Sequence, residues 1–278
     1  MSSSDTISPT AHYTGQVWFR NGLSHPKLAT REGRVLFESL QPAMRISAAI
    51  GGPSLEAYLL ARHRAIDSLL AQAIEHHGVT QVIEVAAGLS PRGWRFTTRY
   101  GDRLTYVEAD LPAMAARKRR ELERIGSLGD HHQMRDLDAL RDDGPGSLAS
   151  LAADLDRGPG QGLAIITEGL LGYLAPDAVT GLWRRFAHTL AEFPTGRYIS
   201  DLHLGSAESA AVRGFRLALS AFVRSRVYLH FNDAEQAEAQ LRASGFVTAS
   251  VRPAWEIADS PAGDRGSQLA HILEASTE

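Results

Sequence analysis

The sequence predicts an α/β domain built on a doubly wound parallel sheet, and three observations lead there. Short apolar or β-branched runs alternate with helical patterns between residues 79 and 204, the order that places helices on both faces of a parallel sheet. A glycine turn, Glu84-Val85-Ala86-Ala87-Gly88-Leu89, follows the first run. An acidic stretch, Glu108-Ala109-Asp110, closes the second, roughly 20 residues further on, as in sheets that hold a nucleoside.

The elements follow in order. Residues 1–35 start polar and become aromatic and turn-rich, with Tyr13, Trp18 and Phe19, and read as an arm that packs on something. A weak helical pattern runs over 35–50 and breaks at Gly51-Gly52-Pro53. Ser54 caps a long amphipathic helix to about His77, whose buried stripe is Leu59, Leu60, Ile66, Leu69, Leu70 and Ile74. Strands are expected at 79–86, 104–107, 132–134, 163–167 and 197–202, separated by helices at 92–100, from Pro112, at 147–155 and at 176–193. Residues 205–231 break the rhythm and read as a helical insertion, too long for a plain loop. A helix at 233–244 and strands at 246–251 and 268–272 close the chain. The expected division is an N-terminal arm and lid helix (1–53), an α/β core (54–204), a helical lid (205–232) and a C-terminal helix with closing strands (233–278).

Composition narrows the function. With 278 residues, 44% hydrophobic and 22% charged, the chain is an ordinary globular one with ample material for a core. Lys+Arg number 29 against 32 Asp+Glu, so bulk charge does not direct the chain to nucleic acid. There is no cysteine, which excludes disulfides and thiolate metal sites. The polar N-terminus lacks the apolar core of a secretion signal, and no run approaches the ~20 apolar residues of a membrane span. A cytoplasmic protein is expected. Only Lys27 and Lys118 are lysines, which leaves few candidates for lysine chemistry. His76-His77 and His131-His132 are adjacent pairs, not the i, i+4 spacing that sets two ligands on one helical face, so no metal site is expected.

Ligands of open α/β sheets sit beyond the carboxyl ends of the strands. Gly88 lets the backbone turn sharply there, as a ligand site or simply as a tight turn, but the dinucleotide pattern G-x-G-x-x-G is not met. Asp110 suits ribose hydroxyls and equally suits capping the helix that Pro112 opens. Asp136, after the third strand, suits an adenine amino group or a local cap. Glu168 ends an apolar strand, where a carboxylate is costly without a partner. It is read as functional, with a salt bridge to an arginine as the alternative. His203 closes the fifth strand beside Asp201, as a general base or as a satisfied histidine.

Together these residues resemble the class I methyltransferases that use S-adenosylmethionine, within them the leucine carboxyl methyltransferase and polyketide O-methyltransferase family. The matching segments are Arg62 in Arg62-His63-Arg64-Ala65-Ile66-Asp67, the Glu84–Leu89 turn, Tyr106-Val107-Glu108-Ala109-Asp110-Leu111-Pro112 with Arg117-Lys118, and Glu168-Gly169-Leu170-Leu171-Gly172-Tyr173-Leu174. The resemblance covers roughly residues 55–203 and implies a Rossmann-like seven-stranded methyltransferase sheet with a helical lid. It further implies that Arg62 pairs with the cofactor carboxylate, that Glu84, Ala86 and Gly88 line its amino-acid portion, and that Asp110 holds the ribose. Met134 and Asp136 would flank the adenine, Glu168 would meet the amino group, and Tyr173 would face the substrate. Two departures stand out: Ala86 where the family has glycine, and Ser90-Pro91 where it often has aspartate. The lysine that protein-substrate members hold in the arm is not matched by the context of Lys27.

The expected activity is O-methylation of a carboxylate or phenol on a small hydrophobic, polyketide-like metabolite, leaving S-adenosylhomocysteine. A carboxylate, with a pKa near ~4, needs no base, whereas a phenol at about 10 does. His203 and Tyr173 are the expected catalytic residues; Tyr13, Phe215 and Phe222 are expected on the substrate side. A protein or peptide carboxyl methyltransferase and a non-catalytic nucleotide-binding module are the alternatives.

Overall fold

A computed structural model of the chain describes residues 9–49, 54–205, 228–258 and 266–278. Seven strands form one sheet: β1 Val79–Val85, β2 Thr105–Asp110, β3 His132–Asp136, β4 Gly162–Thr167, β5 Thr195–Leu202, β6 Thr248–Pro253 and β7 His271–Ser276. Their order is β3-β2-β1-β4-β5-β7-β6. The first five run parallel, and β7 lies antiparallel to both β5 and β6. The sheet is therefore mixed where the strand–helix alternation suggested a parallel one. The order reverses between β1 and β4, and open α/β sheets part their crossover helices at that point to leave a crevice.

Strand alternation separates the two cores. Ile83, Val107, Ile165 and Tyr198 face one side with Trp183 and Phe186 of α7 (Pro176–Leu190). Val82, Tyr106, Ile166 and Ile199 face the other, against Ile66 and Leu70 of α3 (Leu55–His76) and Phe96 of α4 (Arg92–Tyr100). Ser54 caps α3 as expected, its side chain accepting the Ala57 amide at 3.1 Å. The remaining crossover helices are α5 (Pro112–Ile125) and α6 (Leu148–Ala153), and α8 (Ala234–Ala243) precedes β6.

The stretch read as an arm holds a helix, α1 (Pro9–Arg20), and the weak helical pattern over 35–50 belongs to α2 (Arg31–Ala49), which begins a turn earlier. Of the two glycines in these helices, only Gly33 stands where close packing leaves no room for a side chain. A Cβ on Gly15 would stand 3.5 Å from Leu89 Cβ, and one on Gly33 would collide with the His12 carbonyl oxygen at 2.4 Å. β3 extends to Asp136, and its weak signal fits an edge strand paired only with β2. The closing strands lie a few residues later than expected. Residues 206–227, which hold most of the expected lid with Phe215 and Phe222, lie outside the described residues. On either side of them Gly205 donates its amide to the Phe231 carbonyl at 2.9 Å, and Phe231 stacks on Trp183 at 5.4 Å. Among the described residues, no helix is long and apolar enough to cross a membrane.

Candidate functional site

Beyond the carboxyl ends of β1, β2, β4 and β5 lies a cavity of about 590 Å³, roofed by α1 and α3. Arg62, Ala86, Gly88, Asp110 and Glu168 all line it, although the sequence spreads them over more than a hundred residues. Tyr13, Tyr173 and His203 line it too.

The turn after β1 is strained in one place. Ala86 has φ +55, the left-handed region that glycine tolerates and alanine does not favour. Gly88 has φ +50, and a Cβ there would find nothing nearer than 3.9 Å, so the space before it is open for a ligand to approach the backbone. Asp110 ties this turn to β2. Its two carboxylate oxygens accept the Gly88 and Leu111 amides, both at 2.8 Å. Burial raises the Asp110 carboxyl above its ordinary range, and those two amides pull it partly back.

Glu168 is at once a lining residue and a salt-bridged one. It takes Arg62 Nε at 3.0 Å on one oxygen, and His63 Nδ1 at 2.8 Å and Arg92 Nη2 at 2.6 Å on the other. Burial would raise its carboxyl, but His63, Arg92 and Arg62 overcome that and hold it far below the carboxylate range. Arg62 also donates to Asp201 Oδ2 at 3.2 Å. A Cβ on Gly169 would stand 3.1 Å from Arg62 Nη2, so a bare backbone here leaves room for the guanidinium. Arg92, fully buried, carries the network outward to Glu84 at 2.5 Å and Asp67 at 2.6 Å.

Three expected cofactor contacts stand off the cavity. Glu84 is buried under α4, held by Arg92 and by the Tyr106 hydroxyl at 2.8 Å. Strand alternation turns it to that face of β1 and away from the rim. Met134 packs with Leu28, Ala115 and Leu122 in a separate small cluster. Asp136 is exposed and paired with Arg119 at 3.3 Å. None of the three lines the cavity.

Two lining residues carried no sequence signal of their own. Tyr58, on α3, has its hydroxyl 2.7 Å from His203 Nε2 and 3.5 Å from Asp201 Oδ2. Asp201 also accepts the Gly169 amide at 2.6 Å. Helix phase offers the one available hint for Tyr58, since it lies one turn before Arg62. Burial raises the Tyr58 hydroxyl well above its ordinary value and lowers the His203 imidazole. Around His203, Asp201 opposes that lowering, while Arg62, His271 and His230 add to it. At neutral pH the pair is thus a protonated phenol beside a neutral imidazole.

The family model described as leucine carboxyl methyltransferase matches residues 23–187. A Mycolicibacterium gilvum (strain PYR-GCK) protein, provisionally described as an S-adenosyl-L-methionine-dependent methyltransferase, is 37% identical over 120 residues, 43% of this chain and 37% of its own length. The matched stretch spans only 37–40% of the first curated relatives. Among solved structures, a Thermobifida fusca YX protein provisionally described as a methyltransferase superposes with a TM-score of 0.67 at 14% identity, over 97% of this chain and 94% of that one. The methyltransferase CalO6 gives 0.53 at 18% identity, over 89% of this chain and 75% of its own. At such identities these two structures speak for the fold: the same seven-stranded α/β architecture.

Proposed function

Because the chain belongs to the leucine carboxyl methyltransferase family, we propose that it moves a methyl group from S-adenosylmethionine to an oxygen of a small, hydrophobic, polyketide-like acid or phenol. One observation carries this reading: Arg62, Gly88, Asp110 and Glu168 converge on a single cavity. Its volume, about 590 Å³, falls in the range of small-molecule sites, roughly 300–1,000 Å³.

The residues present fit the cofactor. Open space before Gly88 admits a ligand against the turn, and the bare Gly169 backbone leaves room for the Arg62 guanidinium beside it. In the proposed arrangement Arg62 holds the cofactor carboxylate, Glu168 its amino group, Asp110 the ribose hydroxyls, and the backbone at Ala86 and Gly88 the amino-acid portion. When bound, S-adenosylmethionine supplies a methyl already activated on a sulfonium, so the protein's task is to position and desolvate the acceptor. In this reading Tyr13 and Tyr173 shape the acceptor side and His203 takes a proton; all three line the same cavity. Glu84, Met134 and Asp136 do not line that cavity.

The test combines binding and chemistry. Calorimetry should show S-adenosylmethionine binding, and transfer from donor labelled at the methyl should mark an acidic or phenolic acceptor. No binding of the cofactor would defeat the proposal.

A further inference from the structure

The geometry points to Arg92 as the positioning residue that aims the Glu168 carboxylate at the amino group of the cofactor, with Glu84 and Asp67 holding Arg92 in place. This inference rests on the function proposed above and adds a residue that never touches the ligand. Arg92 is fully buried and does not line the cavity.

Local sequence puts the guanidinium there. Pro91 opens α4 and the Ser90 hydroxyl accepts the Arg92 amide at 3.2 Å, so Arg92 is the first residue of the helix. Helical side chains lean towards the N-terminus, which carries Arg92 back to β1. All three arms of the guanidinium are engaged: Nε with Asp67 of α3 at 2.6 Å, Nη1 with Glu84 of β1 at 2.5 Å, and Nη2 with Glu168 after β4 at 2.6 Å. Two of those acceptors are fixed from elsewhere. The Tyr106 hydroxyl on β2 donates to Glu84 at 2.8 Å, and Arg95, three residues on along α4, donates to the other oxygen of Asp67 at 2.5 Å. A guanidinium is a rigid planar fork, so two anchored arms determine where the third points.

The third arm decides which oxygen of Glu168 stays open. Each carboxylate oxygen has about two acceptor places. On Oε2 both are filled, by Arg92 Nη2 at 2.6 Å and His63 Nδ1 at 2.8 Å. Oε1 takes Arg62 Nε at 3.0 Å and, among the described residues, no second donor. Glu168 and Arg62 both line the cavity, whereas His63 and Arg92 do not. The remaining place is therefore on the oxygen next to Arg62. An amino acid whose carboxylate is held by Arg62 brings its ammonium group to that same oxygen.

Losing Arg92 frees Oε2 and lets the carboxylate turn, so the contact with the amino group is the one that suffers. The other proposed cofactor contacts belong to Arg62, Asp110 and the backbone at Ala86 and Gly88, and Arg92 hydrogen-bonds to none of these. The defect should thus be confined to one functional group of the ligand, a signature that general loosening of the fold does not give.

The experiment titrates the full chain calorimetrically with S-adenosylhomocysteine and with its desamino analogue, which keeps the carboxylate and lacks the amino group. Arg92→Gln should weaken S-adenosylhomocysteine at least roughly tenfold, the scale of one charge-assisted contact, and leave the analogue unchanged. Arg92→Gln combined with Glu168→Gln should bind S-adenosylhomocysteine no more weakly than Glu168→Gln alone, because both act through one contact. Should Arg92→Gln fail to fold, Asp67→Asn is read the same way, since Asp67 does not line the cavity. It should cost S-adenosylhomocysteine at least roughly threefold and the analogue nothing. Equal losses for the two ligands, no loss for either, or additive losses in the double variant overturn the role of Arg92. A wild-type chain that does not bind S-adenosylhomocysteine overturns the proposed function instead.

Discussion

The Asp110 carboxylate accepts the Gly88 amide at 2.8 Å, joining the turn after β1 to the tip of β2. Two features separated in the chain therefore form one unit. Asp110→Ala removes the proposed ribose contact and frees the turn. Calorimetry should show S-adenosylhomocysteine affinity falling tenfold or more, about 1.4 kcal/mol. Burial raises the Asp110 carboxyl, so affinity in the wild type should begin to fall, as pH drops, above the ordinary aspartate range. An unchanged affinity in the variant would remove Asp110 from the site.

Arg62 bridges Glu168 and Asp201 in a buried setting. Arg62→Ala leaves two carboxylates without a shared cation. Cofactor affinity should drop at least roughly tenfold, the scale of one charge-assisted contact. Chemical denaturation should also show a loss of roughly 3–5 kcal/mol, because breaking a buried pair strands its partner. A variant of wild-type stability and affinity would contradict both roles.

Ala86 occupies φ +55. An L-residue there costs about 1–2 kcal/mol, and the greater unfolded freedom of glycine returns roughly 0.5–1. Ala86→Gly should therefore gain roughly 0.5–1 kcal/mol, a Tm rise of about 1–4 °C. Ala86→Val should lose stability, since a branched side chain tolerates this region least. A lower Tm for the glycine variant would show that the turn is not strained.

Lys118 and Glu108 are both fully buried and paired, with His132 Nε2 2.8 Å from the other Glu108 oxygen. Lys118→Met or Glu108→Gln alone should cost roughly 3–5 kcal/mol. The double variant should cost clearly less than their sum, because neither charge is left alone. Additive losses in urea titrations would refute the coupling.

His132 is held neutral. Burial, helped by Lys118, pushes its titration down to about 4, whereas the unfolded chain titrates near ~6.5. The folded state thus binds fewer protons between those values. Stability is complete above about 6.5 and declines as pH falls towards 4, by at most roughly 3 kcal/mol. His132→Gln should flatten that decline in urea midpoints measured from pH 7 to 4. An unaltered slope would assign the acid loss to other groups.

The alternation of apolar runs with helices, the turn at Gly88, the acid at Asp110 and the glutamate at Glu168 were legible because each obeys a local rule: strand period, backbone freedom, or a polar group closing an apolar strand. The α1 helix was not, since Gly15 lowers helix propensity and the segment is held helical by packing against α2 and α3. Glu84, Met134 and Asp136 matched a pattern in the chain, but Glu84 is held by Arg92, Met134 packs in a separate cluster and Asp136 pairs with Arg119 at the surface.

Local sequence thus decides which elements form and which strand ends carry polar groups. The pairing of Tyr58 with His203, and of Arg62 with Asp201, joins residues 145 and 139 positions apart. No short-range rule encodes such contacts. They arise when the strand order brings β5 beside β4 and α3 packs across β5 and β1, and burial then sets the charge states that the chemistry uses.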